Sequence, residues 1–497
     1  MDKEILIIGT HPIRDSIIKQ YEGAGCCVEL HASFSDVCRG KEYNELCVVT
    51  DEAVGDKDVL ESLVLIAADY PATAKGAAKP VCHLLLHSNI TLNLMRMVDL
   101  YPEIQHKFEL YAFTIEDQWA KNILFNHALD REKIDEKSNK TVHLVIAGFG
   151  ELSESLSIHT ALTMHFPNYE RNHTLRTRIT IVDRNISTPK NAFIQRHAQL
   201  FDNSYYRSID LFQHCVTQYH APRYAGSRED FVDVEWEFVE ADFFDSVLQQ
   251  KIAMWAESDD QLLTIALCDS NADVNFDRAF TLPDAVYSNE VPVFVNLKQA
   301  GLIDEVRKNG KFKNLVPVGM YDCGYDISLP LLQMAKRLNY CYNCSYSKKE
   351  IPTNMPLDEV EKLWSGIDSF SIRYSNIYNV MTISTKMRIL GHKEGDWDKY
   401  YALTRAEIEQ IAAVEHNRWS VERLIMGFRP PTDIERDEIK QHIDDLKDKY
   451  KKQKVHYDLC SYRELREDKT GQNVQVYDYD LVACIPLIAQ SYKETKK

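Results

Sequence analysis

Gly148, Phe149 and Gly150 directly follow the apolar run VHLVIA, and the stretch from Glu151 to His165 after them can form a helix. A strand-to-helix turn needs glycine when the backbone must turn tightly and approach a pyrophosphate, whose charge then rests on the helix N-terminus. Ser153 stands where the dinucleotide fingerprint expects a third glycine, and it is small enough for close helix packing. Asp183 ends the next apolar run, RITIVD, at the place from which a carboxylate accepts hydrogen bonds from a ribose. Its separation from the turn exceeds the usual ~20 residues, and the polar insert over 168–177 accounts for the excess. The turn reads either as a nucleotide site or as a fingerprint kept on an empty scaffold.

An earlier turn, Gly9-Thr10-His11-Pro12-Ile13-Arg14, keeps one glycine, with His11 and Arg14 at the other two positions. A side chain at position 11 hinders approach to a pyrophosphate. Arg14 could still contact a lone phosphate, and Glu29 lies near the ribose position. The alternative is a degenerate, dimerising half-domain.

A third constellation lies toward the C-terminus. Thr404 and Glu407 have the spacing of a capping box, which starts a helix that Gly427 can end. Ile408, Ile411, Val414, Val421, Leu424 and Ile425 fall on its core face. Glu415, Trp419 and Arg423, four apart, form a stripe beside that face, with His416 next to them. Such a stripe suits a purine, with Trp stacking the base, Glu accepting from an amino group and Arg taking a phosphate. Equally, Trp419 packs in the core and Glu415 pairs with Arg423.

Weaker signals remain. Asp269, Asp273 and Asp277 could hold Mg²⁺ or simply form the polar mouth of a sheet, which is the preferred reading. Cys341 and Cys344 form a C-x-x-C with no second pair at zinc-finger spacing, so no metal is expected. His159 and His165, six apart, fall on different helix faces. The chain has no G-x-S-x-G, H-E-x-x-H or P-loop motif, which weakens an enzyme reading.

The elements that must position these residues alternate as an α/β pattern. The runs EILIIG, CCVELH, ELCVVT and VCHLLLH, with a helix-like stretch from Ile13 to Tyr21, predict a Rossmann-like domain over 1–130. The charged segment 131–140 reads as a linker. TVHLVIAGFG, RITIVD, VEWEFVEAD, QLLTIALCDS, VPVFVNL and LVPVGM then predict a second, fuller parallel-sheet domain over 141–330. A helical connector follows over 331–399 and a mainly helical domain over 400–497. Within the latter, the sign-alternating stretch from Asp433 to Lys454 reads as an exposed helix.

The chain has 497 residues, enough for three domains with their own cores, so no disulfide framework is needed. Its formal net charge of −17 argues against non-specific binding to nucleic acid or an anionic membrane. No run reaches the ~20 apolar residues of a membrane span, and Asp2, Lys3 and Glu4 leave no room for a signal peptide. A cytosolic chain is expected, with neither nucleic-acid partners nor membrane insertion.

The paired halves, with GFGELSES and Asp183, resemble TrkA-N domains, the cytosolic nucleotide-sensing units of potassium transport regulators. EHNRWSVERLIMGF, HYDLCSYRELR and YDYDLVACIP, in that order, resemble the ryanodine-receptor repeat (RyR) domain of bacterial proteins. RYSNIYNVMTISTKMRILG, from Arg373 to Gly391, looks like the segment that joins the two in such proteins. These resemblances imply a homodimeric, regulatory or defence-associated sensor of an adenine-type nucleotide, NAD among the candidates. The ligand would be held by Gly148, Gly150, Ser153 and Asp183, by Glu415, His416, Asn417, Trp419 and Arg423, or by both sets. The competing expectations are an enzyme acting on NAD or a nucleotide, and a cytosolic regulator of a membrane transporter.

Overall fold

The computed structural model describes residues 3–37, 41–70, 79–98, 100–222, 230–297, 301–308, 310–352, 354–367, 369–393, 397, 402–441, 443–466 and 474–489. The expected boundary at 399/400 and the last residues to 497 lie outside them. Five strands, β1 (Glu4–Ile8), β2 (Cys27–His31), β3 (Glu45–Val48), β4 (Val81–Leu85) and β5 (Glu109–Phe113), form a parallel sheet in the order β2-β1-β3-β4-β5. Ile5 to Ile8 of β1 are fully buried, as expected of a central parallel strand covered on both faces.

The second sheet is larger. Its strands are β6 (Thr141–Ala147), β7 (Thr177–Asp183), β8 (Tyr205–Asp210), β9 (Cys215–His220), β10 (Val234–Glu240), β11 (Gln261–Leu267), β12 (Val293–Asn296) and β13 (Leu315–Val318). Their order is β13-β12-β11-β6-β7-β10-β8-β9. Without the β8–β9 hairpin, this is the doubly wound order of a dinucleotide fold, whose direction reverses between β6 and β11. β8 continues the sheet in parallel beside β10, and β9 closes the edge antiparallel to β8. Along β6 the side chains alternate between two cores: Leu144 and Ile146 face a core shared with the first domain and the C-terminal helices, whereas Val145 and Ala147 face the other.

Two Rossmann-like domains and a helical C-terminal part are thus joined through one continuous core. The helix Ile115–Asn126 of the first domain lies against the helix Glu151–Thr163 of the second, and Asp117 binds His159 across that contact at 2.8 Å. The segment over 131–140 is anchored at its start and at Ile134. Asp130, buried, pairs with Arg388 at 2.7 Å, Arg131 donates to the Leu263 carbonyl at 3.0 Å, and Ile134 is buried. After β13 the chain returns to the first domain, where Tyr325 stacks on Phe113 and its hydroxyl meets His83 Nδ1 at 2.5 Å.

The C-terminal part is built around the helix Arg405–Ile425, started by the expected capping box of Thr404 and Glu407. The charged stretch forms two helices, Asp433–Gln441 and Ile443–Lys452, with Ile439 and Tyr450 turned into a small core beside Val455 and Tyr457. Among the described residues, no helix is long and apolar enough to cross a membrane.

Candidate functional site

The Gly148 turn is shaped by its glycine. Gly148 has φ 93°, and a Cβ there would lie 2.9 Å from the Asp269 amide nitrogen, so the turn sits against the end of β11 at the sheet's reversal point. The Phe149 amide donates to Asp183 Oδ2 at 3.0 Å, and the Asn185 amide to Asp183 Oδ1 at 2.8 Å. Asp183 is thereby held at the lip of the turn. The Ser153 hydroxyl donates to the Gly148 carbonyl, which fixes the turn against its helix. Phe149 packs edge-on against Phe193 at 5.5 Å.

Beyond these contacts the turn is open. Gly150 is exposed and a Cβ there would touch nothing, and no side chain caps the helix that starts at Glu151. Its first amides thus lack a side-chain acceptor, the arrangement in which a helix N-terminus can accept an anion. The Asp269, Asp273 and Asp277 series does not converge here: Asp273 and Asp277 are exposed, and Asp269 meets Arg278 at 3.4 Å. Among the described residues no group of three His, Cys, Asp or Glu side chains could hold a metal ion.

The Gly9 turn shares the positive-φ glycine but is two residues longer before its helix and differently filled. Gly9 has φ 116° and its Cβ would fall 2.2 Å from the Val49 carbonyl oxygen, again at the sheet's reversal point. His11 is buried and its Nδ1 accepts from the Ile13 amide at 3.2 Å, while Arg14 folds back to donate to the Gly9 carbonyl at 3.2 Å. Glu29 is paired with Lys41 at 2.6 Å and His31 at 2.8 Å, and hydrogen bonds from these two hold its carboxyl at about 2.

The carboxyl ends of both sheets meet at the domain junction. His11 stands 6.2 Å from His87 and 5.6 Å from Tyr321, measured between ring centroids, and Trp119 is 5.5 Å from Tyr321. Glu52 follows β3, Glu116 follows β5, and Glu151 follows the Gly148 turn; each lies close enough to act on the others' charge. Burial, then repulsion from Glu151, Glu52 and Asp117, raises Glu116 to about 7. Burial also raises Glu151, helped by Glu154 and Glu52. Glu154 is paired with Arg196. Burial and His87 lower His11, against the opposing pull of Glu52 and Asp51.

Sequence reasoning missed His87, Glu52, Glu116, Glu151 and Tyr321. They come from five segments, and the signal that could have found them is their position just after strands, where this fold class binds ligands.

The Glu415 stripe is divided by the fold. Glu415 is 1% exposed and binds Lys386 at 2.5 Å and Arg418 at 2.8 Å, not Arg423. Burial alone would raise its pKa, but Arg418 and Lys386 outweigh it and hold the carboxyl at about 2. Arg418 continues to Glu422 at 2.6 Å, and Ser375 donates to the same carboxylate at 2.9 Å. His416 is buried and contacts the Cys460 carbonyl at 2.9 Å. Asn417, also buried, donates to Asp233 at 3.4 Å; that carboxylate holds His165 at 2.7 Å, so the helix is tied to the second sheet. Trp419 and Arg423 stay together, 5.5 Å apart, with His456 edge-on to the indole at 4.8 Å.

Other polar residues serve packing. His159 joins Asp117, Arg96 and Lys121 in a buried cluster at the meeting of both domains, beneath Tyr374 and Tyr378. Cys341 and Cys344 are buried on the helix Pro330–Tyr346. A cavity of about 240 Å³ lies elsewhere, on the first sheet between Leu6, Leu46, Leu65 and Tyr70. Among its described lining residues the cation, Lys41, is already paired, so it offers less chemistry than the junction. No protein-family model matches the chain, and no curated protein matches it.

Proposed function

We propose that this chain is a nucleotide sensor that binds an adenine-type nucleotide at the Gly148 turn of its second Rossmann-like domain. The observation that carries the reading is the uncapped helix N-terminus at Gly150 and Glu151, opening at the reversal point of a complete doubly wound sheet. Gly148, Gly150 and Ser153 shape the phosphate site and Asp183 receives the ribose. The burial and ion pairing of Glu415, His416 and Asn417 favour this turn over the C-terminal stripe. In the sensing reading, the helix Arg405–Ile425, tied to the second domain through Asn417 and Asp233, responds to the ligand by a shift in its preferred packing. The TrkA-N and RyR resemblances fit this assignment, with a cytosolic homodimer as the working unit.

The test is calorimetry and thermal shift of the purified chain with AMP and NAD⁺, beside Gly148→Val and Trp419→Ala. Binding lost in Gly148→Val and kept in Trp419→Ala supports the reading. Loss only in Trp419→Ala moves the site to the C-terminal helices. One observation favours a second reading, an enzyme acting on NAD or a nucleotide at the same place: Glu116, raised to about 7, is suited to proton transfer near neutrality. Steady turnover of NAD⁺ that disappears in Glu116→Gln would establish it.

A further inference from the structure

An open sheet ends in two edge strands, whose outer N–H and C=O groups pair readily with another strand unless something prevents it. Of the four edges of the two sheets, three are guarded. On β2, Glu29 places a charge that Lys41 bridges at 2.6 Å. β5 is covered by the helical part: the Tyr374 hydroxyl donates to the Ala112 carbonyl at 2.9 Å and the Trp364 indole N–H to Glu109 at 2.9 Å. β13 carries Pro317, which has no N–H to offer.

β9 differs from all three. It is the last strand of its sheet, and among the described residues no strand pairs with its outer side. In a chain of net charge −17, its residues Cys215–His220 include no Asp, Glu, Lys, Arg or Pro, and Cys215 to Tyr219 are all exposed. Its register with β8 shifts between Ser208 and Ile209, which leaves Thr217 as an extra residue. Tyr219 therefore opposes Arg207 and Val216 opposes Ile209; Arg207 and Ile209 share one face of β8, so Tyr219 and Val216 share that face too. Val216 is 59% exposed and Tyr219 67%, with Phe212 of the hairpin turn at 54%. Arg207, on the same face, is already paired with Glu237.

We infer that β9 pairs antiparallel with β9 of a second copy of this chain, joining two eight-stranded sheets across a two-fold axis. A row of unpaired backbone groups is matched by another strand. Two copies of an acidic chain repel over most of their surface, and a strand without charge is where they meet with no like charges opposed. A two-fold axis normal to the sheet keeps each face on its own side, so Val216 and Tyr219 of the two copies come together on one face and are buried there. The inference names the interface of the homodimer given above and rests on that reading, but not on the nucleotide.

The experiment is sedimentation equilibrium of the full chain without ligand, from low to high micromolar concentration, beside Val216→Lys/Tyr219→Lys and Met254→Lys. The double variant sets like charges across the axis and is expected to weaken dimerisation about tenfold or more at an unchanged melting temperature. Met254, 69% exposed on the helix Ser246–Ala256, is the control, and its variant should dimerise as the parent does. Amide hydrogen exchange over 211–220 of the unaltered chain should slow as the dimer forms, and it decides the matter if the double variant melts early. A dimer that survives the double variant, or exchange over 211–220 that does not change with concentration, overturns the inference and leaves the homodimer standing. A chain that stays monomeric throughout removes both.

Discussion

The two glycine turns share a positive-φ glycine and differ in length and in filling. Gly9 and Gly148 both hold positive φ, both press against the backbone of the strand across the reversal point, and both precede a helix. At the first, His11 and Arg14 fold back onto the loop and occupy the space a phosphate would need. At the second, Gly150 and Ser153 leave that space open, and Asp183 is fixed at its lip by two amides. Two turns can therefore share a positive-φ glycine at a reversal point and still differ in what the rest of the loop does.

That contrast can be broken first at the glycines. Gly9→Ala places a Cβ 2.2 Å from the Val49 carbonyl and Gly148→Ala one 2.9 Å from the Asp269 amide. Each is expected to cost about 3 kcal/mol or more in denaturant unfolding, Gly9 the larger, but only Gly148→Ala should also weaken AMP binding. Equal loss of affinity in both would erase the distinction between the turns.

Glu415→Ala leaves Lys386 and Arg418 buried without their shared partner. A loss of about 3 kcal/mol is expected, with nucleotide affinity kept in the folded fraction. A normal melt with lost affinity would restore Glu415 as a base contact. Asp183→Asn keeps the size of the lip residue and weakens its acceptance from a ribose, so AMP affinity should fall about tenfold, with a stability loss of about 1 kcal/mol because one of the two amides that Asp183 accepts would then face an NH2 group.

Glu116 gives a smaller effect with a defined sign. The folded chain binds its proton more tightly than the unfolded chain, because burial and neighbouring carboxylates raise it from 4.5 to about 7. Its contribution to stability therefore falls as pH rises through that window and levels off above it. Glu116→Gln should raise the melting temperature by roughly 2 °C at pH 8 and leave it unchanged at pH 4. A rise at both values would point to packing as its cause.

Much of the fold was legible because strands buried on both faces leave unbroken apolar runs. Ile5 to Ile8 and the VHLVIA run are of this kind, and each became a central strand. The β8–β9 hairpin was not legible, since the residues of β9 are almost all exposed and leave no alternation to read. The Gly148 turn and the capping box are local in sequence and were read directly. The acidic junction is assembled from separated segments, and Lys386, one of the two partners of Glu415, lies 29 residues away on another helix, so spacing along one helix could not reveal these; the other partner, Arg418, stands three residues on along the same helix, within reach of such a reading. The 131–140 segment reads as a linker because its charges show no periodicity; Arg131 within it and Asp130 beside it make tertiary contacts that this pattern does not reveal.

Tyr325 carries a consequence for how the chain is made. Its ring closes the space beside Phe113 and its hydroxyl meets His83, 242 residues earlier in the chain. During synthesis the first domain emerges early but waits for most of the second to be translated before this part of its core can close. Until then it exposes an aromatic seam to solvent, and contacts of such long sequence separation form late. A ribosome-bound or truncated fragment ending near residue 130 should be a chaperone client, even though every strand of its sheet is already present.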